Sequence, residues 1–331
     1  MKAPAFWWED GSTASALLAP IGQVWGWISA ARMARDGARA AVPVVCIGNL
    51  VAGGAGKTPT AIALARRLAA RGKRPVFLSR GYGGSLRGPT LVDPGRHMAA
   101  ECGDEPLLLA RVFPVVVAAD RVAGAALAAR HGDVIVMDDG LQNPGLRKDV
   151  SVAVVDGERG IGNGRCIPAG PLRAPLDAQW PRVDALLVIG PGRAGDAVAA
   201  KAAARGIPVA RGRLVADPAT ASRLAGREVL AFAGIGAPAK FFATLRGVGA
   251  KVVEAIALPD HFDFEQGQVE RFVDRAESAG LVPVTTEKDA ARLPASVTAA
   301  LAGRLVVLPV QLHLDGDGDG DGLDGLLSRI G

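Results

Sequence analysis

Phosphate chemistry is the first thing the residue types suggest. The stretch Cys46-Ile47-Gly48-Asn49-Leu50-Val51-Ala52-Gly53-Gly54-Ala55-Gly56-Lys57-Thr58-Pro59 follows an apolar run and precedes a run of helix formers. Glycines let successive backbone N–H groups turn toward phosphate oxygens, and a helix start adds unpaired N–H groups and the positive end of its dipole. Val51, Ala52, Gly53, Gly54, Ala55, Gly56, Lys57 and Thr58 would form such a cradle. Lys57 would reach the β/γ-phosphates of a nucleotide and the Thr58 hydroxyl would ligate Mg²⁺. The pattern G-x-x-x-x-G-K-[ST] asks for Gly at position 51, and Val51 departs from it.

Acids and bases elsewhere complete the inventory. Asp138 and Asp139 end an apolar run at 134–137, where a Mg²⁺ partner is expected. The sequence leaves open which of them faces the metal, and Asp-Gly also suits a plain turn. Asp104, in Gly103-Asp104-Glu105-Pro106, is either a helix N-cap or a base that takes a hydroxyl proton. His261, among Pro259-Asp260-His261-Phe262-Asp263, is either a surface residue or part of a proton relay. Arg80, Arg121, Arg147 and Arg173 fall in loops after expected strands, where guanidinium groups bind phosphate. Tyr82, the single tyrosine, sits in a Gly-rich loop able to approach a ligand.

The elements that must position these residues alternate. Nearly continuous Val/Ile/Leu/Ala runs at 42–47, 75–79, 115–119, 134–137, 150–155 and 185–189 read as strands buried on both faces of a mostly parallel sheet. Helices are expected at 60–71, 105–111 and 121–130. This is the α/β pattern, with ligands at the C-terminal ends of strands. A second, smaller series follows: strands at 228–233, 251–256 and 281–286, with helices at 238–246 and 265–279. The expected division is an N-terminal segment 1–40, a phosphate-loop core 41–206, linking strands 207–215 and 304–314, a smaller α/β domain 216–303, and a flexible tail 315–331 in which Asp and Gly alternate.

Bulk properties set limits. The 331 residues are 49% hydrophobic and 21% charged, which fits a globular protein with a large core. The net charge of +5 comes from the first 150 residues, which suits phosphates, a phosphorylated substrate or an anionic membrane. No Lys/Arg cluster interleaved with aromatics points to nucleic acid. Three unpatterned cysteines argue against a disulfide framework or zinc site. Four of five tryptophans lie in the first 27 residues, and 11–31 is uncharged but interrupted by Pro20, Gly22 and Gly26, a poor membrane span and no signal peptide. Leu17, Leu18, Ile21, Val24, Trp25 and Ile28 share one helical face, followed by Arg32, Arg35 and Arg39. That suits a helix lying in a membrane interface, or one packed on the protein's own core.

Assembled in order, these stretches resemble the tetraacyldisaccharide 4'-kinase family of the lipid A pathway. The matching pieces are the loop through Pro59, Ser79-Arg80-Gly81-Tyr82-Gly83, Gly103-Asp104-Glu105-Pro106, Asp120-Arg121, and Asp138-Asp139-Gly140-Leu141-Gln142. Pro168-Ala169-Gly170-Pro171-Leu172-Arg173, Asp260-His261-Phe262 and Thr286-Glu287-Lys288-Asp289 follow. The resemblance implies an ATP- and Mg²⁺-dependent kinase acting on the 4'-hydroxyl of a tetraacylated glucosamine disaccharide 1-phosphate, peripheral on the cytoplasmic face of the inner membrane. It implies Asp104 as base with His261, and Lys57, Thr58, Asp138 and Asp139 as the phosphate and metal set. Arg121 and Arg173 join the phosphate environment, and Asn49, Arg80, Tyr82, Gln142 and Arg173 are implied as substrate contacts. Asn143 stands where the family has His, and Ala174 where an acid is common. Nothing in the spacing fixes the oligomeric state, and a monomer is expected. The rival reading is a P-loop GTPase or ATPase acting as a switch or metallochaperone, which predicts an Asn-Lys-x-Asp motif and Cys/His clusters that the sequence lacks.

Overall fold

The computed structural model describes residues 3–262, 264, 267–316 and 322–330. Among them, thirteen strands follow in chain order. They are β1 (Val44–Asn49), β2 (Pro75–Ser79), β3 (Thr90–Leu91), β4 (Val115–Val117), β5 (Val134–Asp138), β6 (Val150–Asp156), β7 (Ala185–Ile189) and β8 (Val209–Ala216). Then come β9 (Glu228–Ala233), β10 (Lys251–Ala257), β11 (Val282–Thr286), β12 (Val306–Leu308) and β13 (Val310–Leu314). They form a nine-stranded sheet, ordered β13-β8-β7-β6-β1-β5-β2-β4-β3, and a four-stranded sheet, ordered β10-β9-β11-β12. The protein is therefore α/β, with the larger sheet parallel except where its edge strands β13 and β3 run antiparallel to β8 and β4.

The apolar runs explain the middle of the large sheet. β1, β2, β4, β5 and β7 are buried along their whole length, since helices cover both faces. β1 lies between β5 and β6, and its Ile47 pairs with Asp138 of β5. The loop that leaves β1 and the acids that end β5 therefore emerge side by side at the C-terminal edge of the sheet.

The smaller sheet is parallel throughout. Phe241, Phe242 and Leu245 pack on one face, and Phe264, Val269, Val273 and Ala276 on the other. The helix expected at 265–279 is observed as Gln268–Ser278, with residues 265 and 266 outside the described set. The return to the large sheet turns on Pro309, the one residue between β12 and β13. Proline has no N–H to give a ladder. Its carbonyl instead accepts the Asp217 N–H at 2.9 Å, just where the outgoing β8 ends.

One expectation changes. The run expected as a flexible tail folds in part: residues 322–330 are helical, and Leu323, Leu326, Leu327 and Ile330 are buried in the core of the large sheet. Their spacing is helical, so two successive turns put all four on one side. Asp324 accepts from Arg67 at 3.1 Å and Arg71 at 2.7 Å. Residues 317–321 lie outside the described set.

The helix Thr13–Met33 takes one of the two packings that its sequence allows. Its apolar face does not pack on the core. Ser15, Gly22, Gly26 and Met33 face inward instead, while Leu17, Ile21, Val24, Trp25, Trp27 and Ile28 are exposed. The glycines let the backbone approach closely: a Cβ on Gly22 would stand 2.8 Å from the Cys166 carbonyl oxygen. Among the described residues, no helix is long and apolar enough to cross a membrane.

Candidate active site

The loop after β1 is held from three sides. Asn49, fully buried, donates from its amide to the Gly53 carbonyl at 2.7 Å. Gln142 donates to the Asn49 carbonyl at 2.7 Å and to Gln179 at 2.8 Å, and Gln179 donates to the Leu50 carbonyl at 3.1 Å. Val51 forms an antiparallel bridge with Leu172, and the Ala52 N–H bonds to the Pro171 carbonyl. This accounts for the departure from Gly at 51: the residue is a buried bridge position, which a β-branched side chain suits.

At the far end Gly56 has φ 83°, and a Cβ there would stand 2.7 Å from Ile189 Cδ1. The turn delivers the chain into the helix Lys57–Ala70, which starts three residues earlier than the sequence pattern indicates. No side chain caps that helix. Its first N–H groups and the Lys57 ammonium thus converge on one anion site.

The two neighbouring acids at the tip of β5 are in opposite situations. Asp138 is buried, and neither carboxylate oxygen has a hydrogen-bond partner. Burial, with the Glu105 carboxylate nearby, pushes its carboxyl up to about 7. Asp139 turns away at φ 53° and is one-third exposed. Arg173 grips it with two bonds of 2.6 and 3.0 Å, and Lys57 Nζ stands 3.8 Å from it. Desolvation works against its charge, but Lys57 and Arg173 outweigh that and hold its carboxyl below the usual range. Of the two acids, only Asp138 keeps both oxygens without a partner. A buried carboxylate with two free oxygens fits a hard cation, whereas the oxygens of Asp139 are already spent. Arg121, also buried, donates to the Ala118 carbonyl at 2.7 Å, and burial beside Arg80 lowers its pKa.

The other half of the site comes from the smaller sheet. Asp104 is not an N-cap: Gly103 holds that position, and Asp104 opens the helix Asp104–Ala110. Its Oδ2 receives Arg292 Nε at 3.0 Å and Nη2 at 2.7 Å, with His261 Nδ1 at 3.3 Å. Burial disfavours its charge, yet His261, Lys288 and Arg292 together hold its carboxyl well below the usual range. The same carboxylate raises the pKa of His261. Next to it, Glu105 takes the Lys288 ammonium at 2.5 Å and also feels Lys57, so the two halves meet at the phosphate loop.

The contacts Asp104–His261, Asp139–Arg173 and Asp139–Lys57 join residues that the sequence singles out, whereas Asp104–Arg292 and Gln142–Gln179 each have one such partner and Glu105–Lys288 has none. Arg292, Lys288, Glu105 and Gln179 were assigned no role, although Thr286-Glu287-Lys288-Asp289 stood among the recognised stretches. Asn49 and Gln142 hold the loop through their amide N–H groups, and the Asn49 side-chain oxygen is buried without a partner. Arg80 and Tyr82 are exposed at its rim, the Tyr82 ring 5.6 Å from that of His261.

A parallel sheet whose central strand feeds a Gly-rich loop and an uncapped helix, beside a lone buried acid, defines a P-loop nucleotide-binding protein. Comparison with known proteins narrows this. A family model described as tetraacyldisaccharide-1-P 4'-kinase matches residues 14–328. The chain is 59% identical over 316 residues to a tetraacyldisaccharide 4'-kinase of Methylobacterium sp. (strain 4-46), covering 95% of this chain and 93% of that one. It is 55% identical over 316 residues to one from Rhodopseudomonas palustris (strain BisB5), with the same coverage. The crystal structure of the "apo" form of LpxK from Aquifex aeolicus in complex with ATP superposes with a TM-score of 0.72 at 27% identity, covering 96% of this chain and 99% of that one. The chain belongs to the tetraacyldisaccharide 4'-kinase family, the kinases of lipid A biosynthesis.

The raised Asp138 carboxyl has a measurable consequence. An acid whose folded pKa lies above its unfolded value stabilises the fold only while protonated, and that contribution fades as pH rises through about 7. In nucleotide-free, metal-free protein, Asp138→Asn gains stability relative to the parent between pH 5 and pH 8, by about 1–3 kcal/mol. Urea unfolding at the two pH values checks this, and an equal difference at both contradicts it.

Proposed function

We propose that this chain transfers the γ-phosphoryl group of ATP to the 4'-hydroxyl of a tetraacylated glucosamine disaccharide 1-phosphate, giving the 1,4'-bisphosphate. The observation that carries the mechanism is the Asp104 carboxylate. It is held against His261 beside a phosphate cradle, where an acceptor hydroxyl can meet a nucleotide. Phosphoryl transfer needs positioning and charge neutralisation more than covalent help.

The loop from Val51 to Thr58 cradles the phosphates, and Lys57 offsets their charge. Arg121, which opens the helix after β4, supplies a further cation. Arg173 keeps Asp139 ionised and in place, and Asp139 in turn keeps Lys57 aimed along the loop. Asp104 orients the acceptor hydroxyl and takes its proton, with His261 as the partner that carries it away. Bound Mg²⁺ would add charge neutralisation at the β- and γ-phosphates, held by the Thr58 hydroxyl and the free oxygens of Asp138. Arg80 and Tyr82, exposed at the rim, are placed to meet the sugar-phosphate.

The acyl chains call for an apolar surface, and the helix Thr13–Met33 supplies one. Its outward face is a continuous row of Leu17, Ile21, Val24, Trp25 and Ile28, followed by exposed Arg32 and Arg35. That is the pattern of a helix lying in an anionic membrane interface. The helix is one layer from the site. Ser15 donates to the Ala169 carbonyl at 2.7 Å and Trp25 to the Arg173 carbonyl at 3.3 Å, on the segment that also ties down the loop. The reading places the enzyme peripherally on the cytoplasmic face of the inner membrane, where ATP and lipid meet.

Two outcomes test this. Asp104→Ala loses at least about 100-fold in kcat while still binding ATP, as followed by product formation and nucleotide titration; a near-parental rate removes Asp104 from the role of base. Ile21→Asp combined with Val24→Asp, both at exposed positions, weakens flotation with anionic phospholipid vesicles and leaves ATP affinity unchanged. Undiminished flotation shows that the face serves another purpose.

A further inference from the structure

Arg292 belongs to no recognised stretch, yet it makes two side-chain hydrogen bonds to the Asp104 of the Asp104–His261 pair. Its guanidinium is almost wholly buried, 8% exposed against 4% for Asp104. One edge, Nε and Nη2, grips Asp104 Oδ2. Nη1 donates to the Gly234 carbonyl at 2.8 Å and to Asp289 Oδ1 at 3.0 Å.

The Gly234 carbonyl is also the acceptor for the His261 backbone N–H, at 3.1 Å. One carbonyl thus fixes both the arginine and the turn that carries the histidine. That turn needs fixing, because His261 has φ 54°, a conformation that side-chain-bearing residues avoid. Asp289 locks the other side: it accepts the Gly234 N–H at 3.0 Å and the Thr286 hydroxyl at 2.6 Å. Gly234 itself has no room for a side chain, since a Cβ would stand 2.9 Å from Phe262 Cβ and 3.1 Å from Asp289 Oδ1.

We propose that Arg292 is a positioning residue for phosphoryl transfer: from the smaller sheet it sets the Asp104 carboxylate and the His261 turn in register with one another. This rests on the reading of Asp104 as the base. A planar fork with donors on two edges does this, and a single ammonium does not. The arginine acts through geometry and through charge. With Oδ2 taken by Arg292 and His261, and Oδ1 accepting only the Glu105 N–H at 2.9 Å, the free acceptor capacity of the carboxylate lies on Oδ1. The guanidinium also favours the ionised pair over the protonated one.

Other titratable groups also face the pair. They are Lys288 and Asp289 on its own helix, Asp260 beside His261, Glu105 and Cys102 beside Asp104, and Tyr82 against the imidazole.

The test compares the parent with Arg292→Gln, Arg292→Lys and Asp104→Ala in the full-length enzyme, following kcat, the KM for ATP and the pH dependence of kcat. Arg292→Gln removes charge and fork together. Its kcat falls about 10- to 100-fold, its KM for ATP stays within about twofold, and the acidic limb of its kcat profile moves up by about one pH unit. Arg292→Lys restores the cation without the fork: the acidic limb returns to the parental position, while kcat stays below the parent. An unmoved limb in Arg292→Gln, or the same rate loss and the same limb in both variants, reduces Arg292 to an ordinary bridge between the sheets and overturns the proposal. If Asp104→Ala keeps its rate, the base assignment falls instead, which separates the two failures.

Discussion

The structure depends on one ion pair buried between two sheets, Asp104 with Arg292. Charges taken out of water must be matched, and stranding either partner of such a pair costs about 3–5 kcal/mol. Asp104 belongs to the large sheet's side and Arg292 to the smaller one, so docking the sheets and building the site are a single event. Lys288 with Glu105 repeats the arrangement one residue along. Neither sheet alone contains a satisfied set of charges. Each supplies the counter-ions of the other, and the phosphate loop lies where they meet.

A second constraint works within the large sheet. Asp138 and Asp139 are adjacent in sequence, but a left-handed turn at Asp139 sends their carboxylates to different surroundings. One is left without partners in a buried position, and the other is gripped by a guanidinium fork. Identical side chains thereby acquire opposite electrostatic characters, the division of labour by which one carboxylate is suited to a cation and its neighbour to holding a lysine in place.

Much of this was legible in the sequence, and the residues show why the rest was not. The central strands were readable because burial on both faces forces continuous apolar runs, and the loop because few residues besides glycine allow the backbone to wrap a phosphate. Position 51 looked like a defect because its partner, Leu172, lies far along the chain. The same holds for Arg292, which meets Asp104 across 188 positions. Local pattern encodes which face of an element is buried, not which distant side chain completes its charge. For the helix Thr13–Met33 amphipathicity allows two packings: its small residues pack inward, because close backbone approach is what holds it, and its large apolar residues are left outside. At the chain's end the Asp-Gly run drew attention away from the leucines after it, whose helical spacing was the better guide.

A nucleotide cradle, a carboxylate–imidazole pair and an outward apolar helix meet in one kinase, and a single assay bears on their union. The full-length protein is incubated with γ-labelled ATP, Mg²⁺ and tetraacylated glucosamine disaccharide 1-phosphate in mixed micelles, and the lipid product is analysed for its position of phosphorylation. The account predicts label on the lipid at the 4'-position, with ATP consumed in step. ATP hydrolysis with the lipid left unchanged contradicts it.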